Sequence, residues 1–167
     1  MRSNVSIRRA KSDDAHAVTE IYNYYVRNSI ATFDEEEIPF SKMRDKITSS
    51  SDRYPFFVAE QDGVIIGYAY AGVWNSRSAY RFSCETSIYL HPEHLGKGLG
   101  KMMYAKLFDH LETHTDILRF VAGISLPNPA SEKLHRSFGF KDAGVHPRIG
   151  FKFEKWIDVG YFVRSLD

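Results

Sequence analysis

The sequence predicts a mixed α/β (α+β) fold, with a six- to seven-stranded, mostly antiparallel sheet flanked by about four helices. Two observations lead to this prediction. Segments of strand and helix character follow one another in the order β-α-α-β-β-β-α-β-α-β-β, and consecutive strands usually form antiparallel hairpins. The later strand-helix-strand segment needs a crossover connection, which places a parallel pair of strands in the same sheet.

The N-terminal part of the chain predicts one strand and two helices. Val5–Arg9 alternates between apolar and polar residues, as a half-buried strand does. Ser12 or Asp13 begins the first helix, because acidic residues in a first turn interact favourably with the helix dipole. An acidic loop over Ile30–Phe40 follows, and Ser41 is positioned to cap the second helix.

Three consecutive strands are predicted next. Tyr54–Glu60 and Val64–Val73 are rich in β-branched and aromatic residues. Between them, Asp62-Gly63 is a strong hairpin signal. A longer strand is expected over about Tyr80–Leu90, ending before Pro92, because proline cannot donate to the ladder of a sheet.

The C-terminal part of the chain predicts two more helices and three strands. A strand is predicted over Ile117–Ile124. Asn128 as the N-cap and Pro129 at the first helical position then begin a helix that ends near Gly139. Two strands with a turn near Gly150 complete the sheet. The helix before these elements is predicted from apolar residues at helical spacing: Met102, Met103, Leu107, Phe108 and Leu111.

Length, charge and cysteine content narrow the class of protein. A chain of 167 residues predicts one domain over residues 1–167. A formal net charge of +1 argues against a nucleic-acid platform and against a polybasic membrane binder. The single cysteine, Cys84, excludes an internal disulfide and a multi-cysteine zinc site, and we expect no metal. Because no apolar stretch suits a signal peptide or a membrane span, we expect a cytoplasmic protein.

The most informative segment is the glycine-rich loop, Leu95-Gly-Lys-Gly-Leu-Gly100, which lies between a predicted strand and a predicted helix. Glycines let the backbone approach a ligand closely. The first N–H groups of a helix lack intrahelical partners, so such a loop and helix start form a site for phosphate. Lys97 and Lys101 add positive charge nearby.

Several phosphate-binding motifs compete for this loop. A P-loop requires G-x-x-x-x-G-K-[ST], but Leu95 occupies the first glycine position and Met102 replaces the hydroxyl residue. A dinucleotide fingerprint requires G-x-G-x-x-G near the first strand of the fold, which differs in spacing and place. A loop for the pyrophosphate of coenzyme A and an ordinary glycine-rich connection remain open.

The loop resembles motif A of the GNAT acetyltransferase superfamily, [QR]-x-x-G-x-[GA], with Leu95 in place of the usual Gln or Arg. Further segments resemble the phosphinothricin and methionine sulfoximine acetyltransferase branch of that superfamily. They are Ile21-Tyr-Asn23, Ala31-Thr-Phe33, Tyr54-Pro55, Val58-Ala-Glu60, Gly67-Tyr-Ala-Tyr-Ala71, Arg77-x-x-Tyr80, Glu85-x-Ser-Ile-Tyr89, Asn128-x-x-Ser131, Leu134-His135, Gly139-Phe140 and Trp156-x-Asp-Val159.

This resemblance implies a sheet splayed at its centre and acetyl-CoA as the co-substrate. The exposed backbone of the strand ending at Leu90 would pair with the pantetheine arm as an added strand does. Asn128 and Ser131 would contact the cofactor, although both residue types also suit a helix start. The cofactor-binding residues implied in this way are Ile88, Tyr89, Leu90, Gly96, Lys97, Gly98, Leu99, Gly100, Lys101, Asn128 and Ser131.

Glu85 and His135 are the leading candidates for proton transfer. Glu85 alternates with Ser87 and Tyr89 on one face of the predicted strand. The pattern alone is typical of a solvated face, whereas the resemblance implies that Glu85 is the general base. His135 stands where the resemblance implies a proton donor for the thiolate, with Tyr89 as an alternative.

The resemblance also implies a small amino-acid-like acceptor. The guanidinium of Arg77 suits its carboxylate, and Asn75 stands where close relatives often carry Lys. The acceptor-binding candidates are Phe33, Arg77, Tyr80, Glu85, Ser87 and Tyr89. Another amine, such as a protein N-terminus, a polyamine or an aminoglycoside, and a non-catalytic acyl-CoA-binding module are alternatives. We expect a homodimer, for which the hairpin containing Trp156, Tyr161 and Phe162 could supply the interface.

Overall fold

In a computed structural model, which describes residues 4–167, seven strands and four helices follow one another in the predicted order. The first three residues of the predicted domain lie outside this range. The elements are β1 (Val5–Arg9), α1 (Ala15–Asn28), α2 (Phe40–Thr48), β2 (Phe56–Gln61), β3 (Val64–Val73), β4 (Ser83–Leu90), α3 (Leu99–His114), β5 (Arg119–Leu126), α4 (Pro129–Ser137), β6 (Lys141–Lys152) and β7 (Lys155–Ser165).

Two local predictions are wrong. Ser41 does not cap α2, because the helix already begins at Phe40 and Pro39 takes the N-cap position with extended backbone. The last hairpin does not turn at Gly150, which lies inside β6 opposite Ile157. Its turn is formed by Phe153 and Glu154, both with positive φ, as a tight hairpin turn requires.

Other predicted boundaries move by a few residues. A short 3-10 turn over Ser12–Asp14 precedes α1, and another over Ser78–Tyr80 precedes β4, which begins at Ser83 rather than near Tyr80. Gly139 has a φ of +86°, which fits its predicted place after α4.

The seven strands form one sheet in the order β1-β2-β3-β4-β5-β7-β6. The pair β4–β5 is parallel and all other neighbours are antiparallel, which confirms the mixed, mostly antiparallel sheet. The parallel pair extends only over Ser83–Glu85 of β4 and Arg119–Val121 of β5. Beyond these residues the two strands separate, so the sheet is splayed at its centre.

Two apolar clusters cover the two faces of this sheet. On one face, α3 packs through Met103, Leu107 and Leu111 against residues that include Cys84 and Phe120. On the other face, α1 and α2 pack against β2 and β3 around Phe56 and Tyr68. The alternation predicted for β4 follows this division, because Cys84 joins the first cluster and Tyr89 packs against the second.

The described residues contain neither a membrane-spanning helix nor a cluster of metal-ligating side chains. Within residues 4–167, no helix has the length and apolar character required to cross a membrane. Over the same range, no three His, Cys, Asp or Glu side chains are grouped so that they could hold a metal ion.

Candidate active site

A cavity of about 740 Å³ lies where β4 and β5 separate. The glycine-rich loop, the start of α4 and the loop after α1 complete its walls. Most of the predicted cofactor-binding residues meet here. The predicted site residues that line the cavity are Ser87, Ile88, Tyr89, Leu90, Gly96, Gly98, Gly100, Lys101, Asn128, Ser131 and His135.

The other predicted site residues lie around this cavity rather than along its wall. Leu99 belongs to the glycine-rich loop, but its side chain is buried in the core. The Nζ atom of Lys97 donates to the carbonyl of Glu93 at 2.7 Å, so its side chain is held against the preceding turn. Arg77 and Tyr80 lie in the exposed connection between β3 and β4.

The glycine-rich loop has the geometry of an anion site. Gly96 and Gly98 have φ values of +72° and +81°, a left-handed conformation that favours glycine. Gly98 is the N-cap of α3, so the N–H groups of the residues that follow have no partner within the helix. At Gly100, an added Cβ would lie 3.2 Å from Leu134, so its lack of a side chain lets α4 approach α3. These features fit the diphosphate of a coenzyme A molecule.

Asn128 has the helix-start role that its residue type suggested. Its Oδ1 accepts a hydrogen bond from the N–H of Ser131 at 3.2 Å and caps α4. Because the oxygen is used in this way, the amide NH₂ of Asn128 is the part of the side chain that can contact a ligand in the cavity.

Glu85 lies at the vertex of the splay. It is the last residue of β4 that pairs with β5, opposite Val121. On its other side it pairs with Gly72, where an added Cβ would meet no atom within 4 Å. Burial raises the pKa of the Glu85 carboxyl, and the positive charge of Lys46 opposes this rise. The carboxyl is therefore a stronger base than an exposed glutamate, and Glu85 directly precedes Thr86, where the wall of the cavity begins.

His135 is buried and forms hydrogen bonds through both ring nitrogens. Nδ1 lies 2.7 Å from the carbonyl oxygen of Ser131, which can only accept, so Nδ1 carries the proton in the neutral ring. Nε2 then accepts from the hydroxyl of Tyr104 at 2.9 Å. Burial lowers the pKa of His135, although the hydrogen bond to Ser131 opposes this effect. The neutral imidazole is thus the favoured form near pH 7.

Tyr104 is a site residue that sequence reasoning missed. It lies on α3, has no exposed surface and still lines the cavity. Burial raises the pKa of its hydroxyl, so Tyr104 stays protonated. Its position belongs to the apolar face of the helix, and a tyrosine there cannot be told apart from a core residue by spacing alone.

The loop between α1 and α2 was also missed as a part of the cavity. Ser29, Ile30 and Ala31 line it. The hydroxyl of Tyr89 donates to the carbonyl of Ala31 at 3.3 Å, and Tyr25 donates to the carbonyl of Leu90 at 2.6 Å. Both tyrosines connect this loop and α1 to the end of β4.

Comparison with known proteins agrees with this geometry. The sequence model described as "Acetyltransferase (GNAT) family" matches residues 18–140. The chain belongs to the GNAT acetyltransferase family. It is 36% identical to a phosphinothricin N-acetyltransferase of Streptomyces viridochromogenes over 99% of this chain and 90% of that protein. It is 35% identical to an L-methionine sulfoximine/L-methionine sulfone acetyltransferase of Salmonella typhimurium, over 98% of this chain and 95% of that protein.

A solved structure extends the likeness to the cofactor. A GNAT superfamily phosphinothricin acetyltransferase of Sinorhizobium meliloti, determined in complex with acetyl-CoA, superposes with a TM-score of 0.92. Its sequence is 36% identical, and the alignment covers 97% of this chain and 88% of that one. As a member of the GNAT family, the protein is an acetyl-CoA-dependent N-acetyltransferase.

Proposed function

We propose that this GNAT enzyme acetylates the primary amine of a small amino-acid-like acceptor: phosphinothricin, methionine sulfoximine or sulfone, or a related L-amino acid. One observation carries the proposal. The Glu85 carboxyl, with a raised pKa, lies at the point where β4 and β5 separate. The relatives named above act on phosphinothricin and on methionine sulfoximine or sulfone, which supports this class of acceptor.

We propose that the cofactor-binding residues predicted from the sequence bind acetyl-CoA. Backbone N–H groups from Gly96 to Lys101 would hold the diphosphate, and the backbone of Ile88–Leu90 would pair with the pantetheine arm. Asn128 and Ser131 would contact the same arm from the start of α4. Acetyl-CoA supplies the activated acetyl group, and the residues of the chain supply its position and the proton transfers.

Glu85 is the proposed general base. An amino-acid acceptor carries an ammonium group at neutral pH, and its nitrogen can attack only after a proton has left. The Glu85 carboxylate takes that proton directly or through one water. Positioned bases of this kind typically contribute about 10²–10⁴-fold to a rate.

His135 is the proposed proton donor to the departing thiolate, with Tyr89 as the alternative. In the neutral ring, Nε2 of His135 carries no proton and Tyr104 donates to it. When His135 is protonated, Nε2 donates to the Tyr104 oxygen instead. Tyr104 then passes its hydroxyl proton to the thiolate in the cavity and takes the Nε2 proton of His135, which returns to the neutral ring.

The acceptor is proposed to lie on the face of the sheet that carries Glu85, Ser87 and Tyr89. Phe33 and Tyr80 would contact its apolar part. The exposed guanidinium of Arg77 would bind its carboxylate. Two hydrogen-bond donors in a planar fork match the two oxygens of a carboxylate, so an acceptor without that group should bind more weakly.

The test is thiol release from acetyl-CoA with a panel of acceptors. We expect turnover with phosphinothricin, methionine sulfoximine or methionine sulfone, and much less with spermidine, kanamycin or a peptide N-terminus. Arg77→Ala should raise the KM of the amino-acid acceptor, whereas Arg81→Ala, in the same exposed connection, should not. Turnover with a polyamine or peptide alone would reject the proposed acceptor, and acetyl-CoA binding without any turnover would favour a non-catalytic module.

We also propose a homodimer in the cytoplasm. Val145, Ile149, Phe151 and Trp156 are each more than half exposed on the last hairpin, and an apolar surface of this kind suits a second copy. Phe162, which the sequence suggested for the interface, is buried in the core instead. The free and buried Cys84 agrees with a reducing compartment. Light scattering at several concentrations and cell fractionation test the two proposals.

A further inference from the structure

Lys152 is a buried cation with two specific partners. Only 2% of the residue is exposed, and its Nζ donates at 2.8 Å to the carbonyls of both Ser29 and Thr32. Burial lowers the pKa of Lys152, and the negative charges of Asp34 and Glu35 oppose this effect. An ammonium group that has lost most of its hydration needs such partners, because leaving it unpaired is costly.

The segment that contains Lys152 and the segment that contains its two partner carbonyls make a second contact nearby. The ring of Phe33 packs directly on the backbone of Gly150, where an added Cβ would lie 2.3 Å from two ring carbons. Lys152 and Gly150 both lie at the end of β6, which we call the hairpin end (residues 150–156). Phe33 and the carbonyls of Ser29 and Thr32 belong to the loop over residues 29–34, which we call the α1–α2 loop.

This contact spans the two halves of the splayed sheet. The α1–α2 loop belongs to the half that contains β4, whose Tyr89 donates to Ala31 in the loop. The hairpin end belongs to the other half and extends past β5, because Leu126 at the end of β5 pairs with Asp158. Since β4 and β5 run parallel, Leu90 and Leu126 mark the open end of the splay. Lys152 therefore connects the two halves at the open end, far from their three paired residues.

We propose that Lys152 is a positioning residue that fixes the α1–α2 loop as one wall of the acceptor site. The loop lies on the face of the sheet that carries Glu85, Ser87 and Tyr89, because Tyr89 donates to its Ala31. Its residues Ser29–Ala31 line the cavity together with the acceptor candidates Ser87 and Tyr89. Releasing it would displace that wall and Phe33, while the glycine-rich loop keeps its conformation. The inference depends on the proposed function only in naming the acceptor as the ligand that is affected.

Lys152→Met is the main test, with Lys155→Met as its matched control, because Lys155 is exposed on the same hairpin. We expect Lys152→Met to raise the KM of the amino-acid acceptor at least about tenfold, as small displacements in a site commonly do. The KM of acetyl-CoA should change by less than about twofold. Hydrogen exchange of the peptide covering residues 29–34 should be faster in Lys152→Met than in the wild type and in Lys155→Met.

Gly150→Ala tests the same inference if Lys152→Met does not fold. Its added methyl group pushes on Phe33 while Lys152 is kept, so the same acceptor-specific rise in KM and faster exchange are expected. Equal changes in both KM values, or unchanged exchange over residues 29–34, would overturn the inference. Hydrogen exchange needs no turnover, so the result is distinct from a failure of the proposed acceptor class.

Discussion

The hydroxyl of Tyr104 lies 2.9 Å from Nε2 of His135, and the opposite nitrogen of the same ring bonds to the carbonyl of Ser131. This arrangement fixes the ring orientation and the tautomer. It also makes two helices, α3 and α4, share one buried polar contact at the cavity wall. Any account of proton transfer by His135 must therefore include Tyr104.

Tyr104→Phe should destabilise the protein by about 1–3 kcal/mol, because Nε2 of His135 is left buried without a donor. Urea unfolding measures the difference in free energy. The matched control is Tyr24→Phe, at an exposed position on α1, which should change stability by less than about 0.5 kcal/mol. Equal stability of the two variants would mean that the Tyr104–His135 hydrogen bond contributes nothing.

Glu85→Gln should reduce kcat by at least about tenfold with little change in the affinity for acetyl-CoA. In the wild type, the base must be ionised to accept a proton. Because burial raises the pKa of Glu85, activity should fall with decreasing pH at a higher pH than for an exposed glutamate. A pH profile of kcat/KM measures this fall in activity at low pH, which should disappear in Glu85→Gln. If the fall is unchanged in the variant, another group is responsible for it.

The same substitution should have a pH-dependent effect on stability. A carboxyl whose pKa is higher in the folded state favours folding when protonated, so this contribution is lost as pH rises from the ordinary value of 4.5 through the raised pKa. Glu85→Gln should therefore have the higher melting temperature at pH 7, and the advantage should shrink below pH 4.5. A melting temperature at pH 7 below that of the wild type would contradict the desolvation of Glu85.

Gly98→Ala should weaken acetyl-CoA binding, because a side chain disfavours the φ of +81° that places Gly98 before α3. Gly63→Ala is a close control. Gly63 has a φ of +80° in the turn between β2 and β3, and neither glycine has an atom within 4 Å of an added Cβ. Both variants should lose similar stability, and only Gly98→Ala should raise the Kd measured by calorimetry. A similar rise in both would point to a general loss of folded protein.

The order of elements could be predicted from the sequence, because alternation and helical spacing are local properties. The glycine-rich loop and the cap at Asn128 were predictable for the same reason. The role of Gly150 could not be predicted in this way, because it depends on a contact between distant parts of the chain. A glycine near the middle of a predicted hairpin indicates a turn, but here it makes room for Phe33, which lies more than 100 residues away in the chain.

The roles of other residues that depend on tertiary contacts could not be predicted from the sequence either. Tyr104 belongs to an apolar helix face, and only the packing of α4 against α3 places His135 beside it. In the sequence, Lys152 cannot be told apart from a surface lysine. Alternation in an edge strand does not reveal that the end of β6 packs against the α1–α2 loop. Most of the loop over residues 29–34 falls in the segment Ile30–Phe40, whose acidic run Asp34-Glu-Glu-Glu37 is typical of a solvated segment.

The narrow junction between β4 and β5 also affects how long the enzyme survives in a cell. Three residue pairs join the two strands, so a bound pantetheine arm would complete hydrogen bonding that the chain leaves unfinished. A ligand that binds only the folded state lowers the unfolded population in proportion to its concentration. We therefore expect degradation of this enzyme to be slower when acetyl-CoA is abundant. A shortage of acetyl-CoA would then reduce the amount of the enzyme as well as its rate of acetyl transfer.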